Sequence, residues 1–410
     1  MFVLEYGLKG KQSQYCAIDR AIRTGQFVRN KALRLWMDAK VEDRVNKYDL
    51  NKYCAVLARE YDFAKKLNST ARQASAERAW SAISRFFDNC RKKIKGKKGY
   101  PKFKKNSRSV EYKNSGWKLN PQTRKHITFT DKNEIGKLKL IGSRDIYFYS
   151  PEQIKRVRLL RRADGYYCQF CISIEIRQEL EPANRTIGLD VGLKYFYADS
   201  NGHTEENPRF YRKSERKLNR LNRRKSKKYR KGVRQSKNYH KARIRYGLAH
   251  LRVSRQREEH AKRLARRVTT SNDVIAYEDL NVKGLVKNRR LSKSISDAGW
   301  TQFRKWIEYF GFKFGRITVA VPPHYTSTDC PACGKRIKKS LSTRTHICEC
   351  GYSEDRDIAA SINILRKGLN TVGHTGLKVW GDLPSSSVGE ILSGYGESAN
   401  QEPRRGASAR

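Results

Sequence analysis

Four cysteines within a short stretch constrain this chain more than any other feature. In Cys330-Pro-Ala-Cys333-Gly and Cys348-Glu-Cys350-Gly, fourteen residues separate Cys333 from Cys348. Zn²⁺ takes four thiolate or imidazole ligands tetrahedrally, about 2.3 Å from each sulfur, and short turns deliver such ligands in pairs. Gly334 and Gly351 directly follow the two pairs, where backbone must pass close to the sulfurs. The first pair is C-x-x-C. The second is the tighter C-x-C, so His346 remains an alternative ligand to Cys348 or Cys350. A structural zinc ribbon is favoured over four free thiols. The other five cysteines are scattered, which fits a reducing compartment better than a disulfide scaffold. Cys168-Gln-Phe-Cys171 imitates a knuckle but lies in a strand pattern, where residues three apart face opposite ways, and core filling is favoured there.

Around the ribbon, the pattern predicts an α/β sheet. RTIGLD (185–190) and KYFYADS (194–200) read as strands, with a short third at 202–206. A long helical region spans 208–268, with Ile244, Leu248 and Leu251 at helical spacing. DVIAYE (273–278) is a strand, 298–310 a helix, RITVAVP (316–322) a strand and 357–369 a last helix. Three strands, helix, strand, helix, strand, helix is the order of an RNase H-like domain.

That order gives three distant acids a common destination. Asp190 ends the first of these strands, Glu278 ends the fourth, and Asp357 opens the last helix. In an RNase H-like sheet those strands are neighbours and the last helix packs across them. Clustered carboxylates are costly unless divalent cations neutralise them, and Mg²⁺ prefers such oxygen ligands. A pair of ions about 3.5–4 Å apart serves in-line phosphodiester cleavage. Asp279, Asp329 and Asp355 have comparable local claims, and spacing alone leaves Asp355 and Asp357 open.

The first half reads differently. Residues 2–8 form a strand pattern, followed by apolar stripes at helical spacing: Val28, Ala32, Leu35 and Trp36; Leu50, Cys54, Leu57, Ala58 and Tyr61; Ala79, Ile83, Phe86 and Phe87. Arg23, Arg29, Lys31, Arg34, Arg72, Arg78 and Arg85 fall on the other faces. RKKIKGKKGYPKFKK (91–105) is a basic loop punctuated by Gly96, Gly99 and Pro101. Strand patterns follow, the clearest a hairpin turning at Asp164-Gly165. Together these predict a β-barrel carrying a helical excursion. Residues from 371 on are rich in Gly and Ser and read as mobile.

Charge supplies the partner. Among 410 residues, 89 Lys and Arg oppose 40 Asp and Glu, a formal net charge of +49, which a folded chain tolerates best beside a polyanion. From Arg212 to Arg267, 24 of 56 residues are basic, interleaved with Tyr229, Tyr239 and Tyr246. Such helices grip phosphates without reading bases. Candidate nucleic-acid contacts are Arg223, Arg224, Lys225, Lys227, Lys228 and Arg230, with Lys102, Lys104, Arg34 and Arg78 from the first half. No stretch approaches the roughly 20 apolar residues that span a bilayer. No secretion signal opens the chain, so an intracellular, nucleoid-associated protein of prokaryotic type is expected, with no membrane partner.

IGLDVGLKYFYADSNG (187–202), VIAYEDLNVKGLVKN (274–288), SISDAGWTQFRKWIEY (294–309), TSTDCPACG (326–334) and ECGYSEDRDIAASINIL (349–365) together resemble the TnpB proteins of insertion sequences. GYPKFKK (99–105) and the helical segment before it share the likeness. Those proteins are RNA-guided DNA endonucleases related to type V CRISPR effectors. The resemblance implies a multidomain α/β chain: a wedge β-barrel with a helical insertion, then an RNase H-like RuvC domain interrupted by a zinc ribbon. On this chain the wedge would be 1–10 and 96–182, the recognition insertion 11–95, the nuclease 183–322 and 355–370, the ribbon 323–354 and a flexible tail 371–410. It implies catalytic, magnesium-binding roles for Asp190, Glu278 and Asp357, the last being the second aspartate of the D-R-D motif. It implies zinc on Cys330, Cys333, Cys348 and Cys350, a guide RNA in a positive channel, and double-stranded target DNA read beside a short motif. Two departures stand out: Ala359 replaces the family's asparagine, and Ser361 replaces its second alanine.

The expected function is therefore transposon-encoded, RNA-guided cleavage of DNA by two-metal hydrolysis. A guided binder that represses without cutting is the first alternative, favoured only by Ala359. A non-catalytic zinc-ribbon protein that binds nucleic acid is the second, and a self-sufficient transposase a weaker third.

Overall fold

Leu4, Tyr6 and Leu8 are the buried residues of the first strand, β1 (Phe2–Lys9), and their spacing of two is the period of a pleated strand with one covered face. The structure is a computed structural model and describes residues 2–374 except 95, 341 and 342. The chain divides into two units, one ending at Glu175 and the other beginning at Ile176.

In the first unit, α1 (Gln12–Asp38), α2 (Lys47–Glu60), α3 (Asp62–Lys66) and α4 (Ser69–Arg91) follow β1. Val28 and Ala32, Leu50, Cys54 and Leu57, and Ala79 and Ile83 meet in one apolar cluster, as their helical spacing requires. Phe87, the last member of its stripe, is exposed. Asparagines start two of the helices: Asn46 Oδ1 accepts from the Tyr48 N–H and Asn68 Oδ1 from the Thr70 N–H, both at 2.8 Å. The opposite faces are less free than their charge implies. Arg29 is buried and donates to the Lys102 carbonyl at 3.2 Å. Arg72 donates to the carbonyls of Ala64, Lys65 and Leu67.

The strands β2 (Ser109–Lys113), β3 (Trp117–Leu119), β4 (His126–Phe129), β5 (Gly136–Ile141), β6 (Ile154–Arg162) and β7 (Gly165–Ile172) join β1 in a seven-stranded sheet. Its order is β2-β6-β7-β1-β5-β4-β3, antiparallel throughout. Among the described residues the edges β2 and β3 do not pair, so the barrel expected from sequence is present as a curled half-barrel sheet. In the β6–β7 hairpin Arg162 pairs with Gly165, leaving Ala163 and Asp164 as the two turn residues, one position earlier than expected. Cys168 and Cys171 lie on β7, both buried, and no metal cluster among the described residues includes them. Glu111, buried in β2, is opposed by desolvation, but the guanidiniums of Arg158, Arg78 and Arg156 hold its carboxyl at about 2.

Residues 176–182, expected to end the wedge, go with the second unit. The Gln178 N–H donates to Lys313 O at 2.6 Å, and Arg316 Nη2 donates to Glu181 O at 2.6 Å. This unit runs β8 (Thr186–Asp190), β9 (Tyr195–Asp199), β10 (Thr204–Glu206), α5 (Phe210–Lys227), α6 (Lys237–Ser271), β11 (Val274–Glu278), α7 (Val282–Leu285), α8 (Ser292–Ala298), α9 (Trp300–Phe314), β12 (Ile317–Val321), β13 (Thr345–Ile347), β14 (Ser353–Asp355) and α10 (Arg356–His374). The helical region read as continuous over 208–268 is thus two helices with a turn at 228–236, and the last helix extends four residues past 370. The mobile tail expected beyond it lies outside the described residues from 375 on.

The five-stranded sheet has the order β10-β9-β8-β11-β12, with β11 parallel to both β8 and β12. Alternate residues divide between its faces. Ile187 and Leu189 of β8, with Ile275 and Tyr277 of β11, pack against α6 and α9. Ala276 packs on the other face with Ile364 of α10. The sheet is therefore covered on both sides, which explains its near-continuous apolar strands. Ile244 and Leu248 are exposed, and the buried side of α6 begins only at Val253.

Candidate functional site

The parallel register sets the first two acids side by side. Tyr277 pairs with Leu189, so Glu278 and Asp190 occupy equivalent positions at the ends of adjacent strands. Each lies two residues beyond a position facing α10, Gly188 and Ala276, so both carboxylates belong to the α10 face. The helix approaches that face closely. A β-carbon built on Gly188 would stand 2.1 Å from Ser361 O, and one built on Gly368 would stand 2.5 Å from Ala276 Cβ. Two glycines, one on each element, thus let helix and sheet approach closely, Gly188 against the α10 backbone and Gly368 against the Ala276 methyl, and the N-terminal turn of α10 comes to the strand ends. Asp357 Oδ2 lies 3.9 Å from the β-carbon position of Gly192, in the loop just after Asp190.

Electrostatics registers the same convergence. The Asp190 carboxyl is pushed well above its ordinary range, first by burial, then by the charges of Glu278 and Asp357. Glu278 is raised by burial, partly offset by the Thr326 hydroxyl and by Lys367. Asp357 is raised by burial and by Asp355. These three acids do not form one tight cage: among the described residues, the four cysteines are the only group of three or more whose ligand atoms all lie within 4.8 Å of one another. Two ions about 3.5–4 Å apart, each about 2 Å from its oxygens, span a wider set than one ion does. Three acids that feel one another's charge without sharing one tight cage suit such a pair.

The neighbouring acids are otherwise engaged. Asp355 Oδ1 accepts from the Asp357 N–H at 2.8 Å, and Lys194 stands 3.6 Å from its other oxygen. Asp279 is paired with Arg304, and Asp329 with Arg336.

Sequence reasoning missed the group that holds Glu278. Thr326 Oγ1 donates to Glu278 Oε1. Asn363 Nδ2, buried on α10, donates to Thr326 O at 2.9 Å and Asp329 O at 2.7 Å. Arg366 and Lys367, from the next turn, donate to the carbonyls of Pro331 and His324. The only sequence signal was Asn363, a polar residue inside an apolar helical stripe. Ala359, where an asparagine was expected, is buried, and Ser361 turns its hydroxyl onto Ile358 O at 2.6 Å.

In the ribbon, Cys330 and Cys350 sulfurs are 3.7 Å apart and those of Cys333 and Cys348 3.5 Å. Four sulfurs 2.3 Å from a tetrahedral centre stand about 3.8 Å apart, so the residues fit Zn²⁺. Burial raises the Cys330 thiol, but the backbone N–H groups of Cys333 and Ala332, together with the adjacent sulfurs, bring it down to about 7. His346 is no part of this group. It is fully buried on β13, its ring 5.8 Å from that of Tyr352. Gly334 and Gly351 have φ of 76° and 87°, the left-handed turns expected behind each pair.

The expected nucleic-acid contacts divide. Arg223, Arg224, Lys227, Lys228 and Arg230 are exposed at the α5 end of the helical hairpin, and Lys225 lies over the Tyr246 ring at 4.4 Å. Lys102 and Lys104 are exposed, and Arg34 is paired with Asp38 at 2.8 Å. Arg78 is half-buried and donates to Ser109 O and Oγ at 3.2 and 2.9 Å, so part of its donor set is used within the fold.

Comparison with known proteins runs along both units. Residues 169–289 match the OrfB_IS605 model, described as probable transposase, and residues 300–364 match the Cas12f1-like TNB domain. A Streptomyces pristinaespiralis protein named as an RNA-guided DNA endonuclease is 28% identical over 359 residues, covering 84% of this chain and 81% of that one. InsQ of Escherichia coli, named likewise, is 26% identical over 388 residues, 89% of this chain and 91% of its own. Shorter matches carry the name TnpB-like protein. The Cas12f1 chain in its complex with guide RNA and target DNA aligns with a TM-score of 0.53 at 14% identity, over 86% of this chain and 83% of that one, a likeness of fold. With its strand-end acids, its four-cysteine cluster and these matches, the chain is similar to the TnpB-like proteins and the relatives named RNA-guided DNA endonucleases along most of its length.

Proposed function

We propose that this protein is an RNA-guided DNA endonuclease whose cutting centre is Asp190, Glu278 and Asp357. The observation that carries the reading is Asp190: a half-buried carboxyl at a strand end, in the field of Glu278 and Asp357. Acids so placed are stable as anions only with cations beside them. Mg²⁺ bound there would supply charge neutralisation to the attacking and leaving oxygens of a phosphodiester. The chain's own part is to hold the carboxylates. β8 and β11 fix Asp190 and Glu278 in register, Asp355 orients the turn bearing Asp357, and Thr326 holds one oxygen of Glu278.

On this reading the open sheet of the first unit is the wedge, residues 11–95 are the recognition insertion, and residues 323–354 are a zinc ribbon within the nuclease. The exposed cations of α5 grip the phosphates of guide or target, while base pairing to the guide selects the sequence. The relatives named RNA-guided DNA endonucleases support the guided reading.

The test is cleavage of a matching plasmid by the purified protein with RNA transcribed from the flank of its own gene. Cutting that needs Mg²⁺ and the guide, and disappears in Asp190→Ala while guide binding persists, is the expected result. Cutting by Asp190→Ala would refute the assignment. Guided binding without cutting by the unaltered chain would favour the repressor reading.

A further inference from the structure

A cleft of about 560 Å³ opens beside Glu278, at the C-terminal ends of β8 and β11. Its floor is apolar and aromatic: Tyr277 from the sheet, and Phe303 and Ile307 from α9. Trp300, at the first turn of α9, forms a wall and packs with Val191, the residue next to Asp190. The rim is polar, with Asn281 and Lys283 exposed. The Oδ1 of Asn281 is used in accepting the Gly284 N–H at 3.0 Å, which leaves its amide donors for the rim. A second, independent observation points to a ligand. The indole N–H of Trp300, a residue only 8% exposed, is buried and has no acceptor. Trp306 carries a similar orphan donor but does not line the cleft.

The cleft lies on the α9 face of the sheet; of the three acids only Glu278, at the strand end, borders it, and Asp279, Arg304, Lys305 and Glu308 add charge to its lining. An apolar floor with a few donors takes a flat, partly apolar molecule rich in acceptors. A nucleobase has that chemistry, with ring faces for the aromatic walls and ring nitrogens or carbonyls for the donors. Ordinary duplex stacking hides those features, so the base must be unstacked to enter. The ends of parallel strands are also where open α/β sheets place their ligands.

We infer that this cleft holds one unstacked nucleobase of the strand being cut, next to the phosphate presented to Asp190 and Glu278, with Trp300 Nε1 and the Asn281 amide donating to it. The inference rests on the nuclease reading and adds a nucleotide-positioning site to it. It makes the cut position depend on a base rather than on the phosphate chain alone.

The test uses the full chain loaded with its guide and a matching single-stranded target. Residues flanking the cut are made abasic one at a time. The rate should fall about tenfold at one position and stay unchanged at the others, as expected for loss of one base–aromatic contact. Trp300→Phe keeps a ring and removes the N–H, and Asn281→Ala removes the rim amide together with its cap on the Gly284 N–H. Each should slow cutting of the intact target and cause no further loss on the sensitive abasic one. A readout without cutting is 2-aminopurine at the sensitive position, bound to the Asp190→Ala complex, where fluorescence should change and the Asn281→Ala change should abolish the difference. Uniform rates across all abasic positions, with cutting preserved, would overturn the base site and leave the nuclease standing. Failure to cut any intact matching target would overturn the nuclease reading, and the base site with it.

Discussion

Gly188 of β8 lies so close to Ser361 of α10 that a β-carbon on the glycine would sit 2.1 Å from the serine carbonyl oxygen. No real side chain fits there. This contact sets the depth at which α10 rests on the sheet, and so where its first turn carries Asp357 relative to Asp190. Gly188→Ala forces helix and strand apart. Overpacking of this kind costs about 1–3 kcal/mol, and we expect a lower melting temperature together with loss of cutting. Gly192→Ala, whose β-carbon would meet Tyr195 O at 3.3 Å, should be milder. Equal effects from the two changes would argue against the packing account.

The metal-free protein should respond to pH through the same acids. Folding raises the pKa of Asp190, Glu278 and Asp357, so the folded state holds their protons more tightly than the unfolded chain does. Stability is then highest below the ordinary carboxyl range and falls as pH rises from there through the raised folded values. Asp190→Asn removes the most perturbed of them. Without Mg²⁺ at neutral pH, that variant should melt higher than the parent, by roughly 2–4 °C for each kcal/mol of repulsion relieved. Mg²⁺ should stabilise the parent and not the variant. Calorimetry with and without the ion decides it.

Thr326 acts through Glu278 and is a positioning residue. A hydrogen bond to a charged group contributes about 1.5–3 kcal/mol, so Thr326→Val should slow cutting about 10- to 100-fold. It should also raise the Mg²⁺ concentration needed for half-maximal rate, which general damage to the fold would not do selectively. Thr326→Ser keeps the hydroxyl and should restore both. A Ser variant as impaired as the Val one would remove Thr326 from the site.

Much of this arrangement was legible in the chain. The five strands of the second sheet and the helices over 298–310 and 357–369 follow from periodicity, because the sheet is covered on both sides and its strands are correspondingly apolar; the short helices α7 and α8 and the strands β13 and β14 carry too few residues for a period to show. The four cysteines were legible because zinc geometry leaves few choices, although C-x-C left His346 open until its ring proved to be packed on Tyr352. Other features were hidden for physical reasons. A period-2 pattern does not say whether a sheet closes, so the open edges of β2 and β3 were not visible. Nor does charge disclose its partner: Arg78 reads as a surface cation and spends part of its donor set on Ser109. Thr326 was invisible because its role depends on Asn363, thirty-seven residues away, holding its loop.

The ribbon makes a prediction of its own. Zinc should bind mole for mole with the chain, and Cys348→Ala should lose it, whereas His346→Ala should retain it at reduced stability, since the ring fills a buried space. Zinc content by atomic emission is the measurement. Because Asn363 ties the Asp329 carbonyl, next to Cys330, to the Thr326 carbonyl, stripping zinc should also loosen the hold on Glu278. A zinc-free protein with unchanged Mg²⁺ dependence would show that ribbon and carboxylates are independent.

The exposed cations at the end of α5 and in the turn after it, and the half-buried Arg78 of α4, should separate cleanly in binding measurements. Each phosphate contact removed lowers the slope of log affinity against log salt by about 0.7–0.9. Replacing Arg223, Arg224, Lys227, Lys228 and Arg230 with glutamine should therefore flatten the salt dependence of guide-RNA or target binding and leave the melting temperature nearly unchanged, because these side chains are solvated. Arg78→Gln should do the reverse. It breaks the bonds to Ser109 and removes one of the charges that hold Glu111 ionised in a buried strand, so it lowers the melting temperature while the salt slope stays put. A flattened slope from Arg78→Gln would return that residue to the nucleic-acid interface.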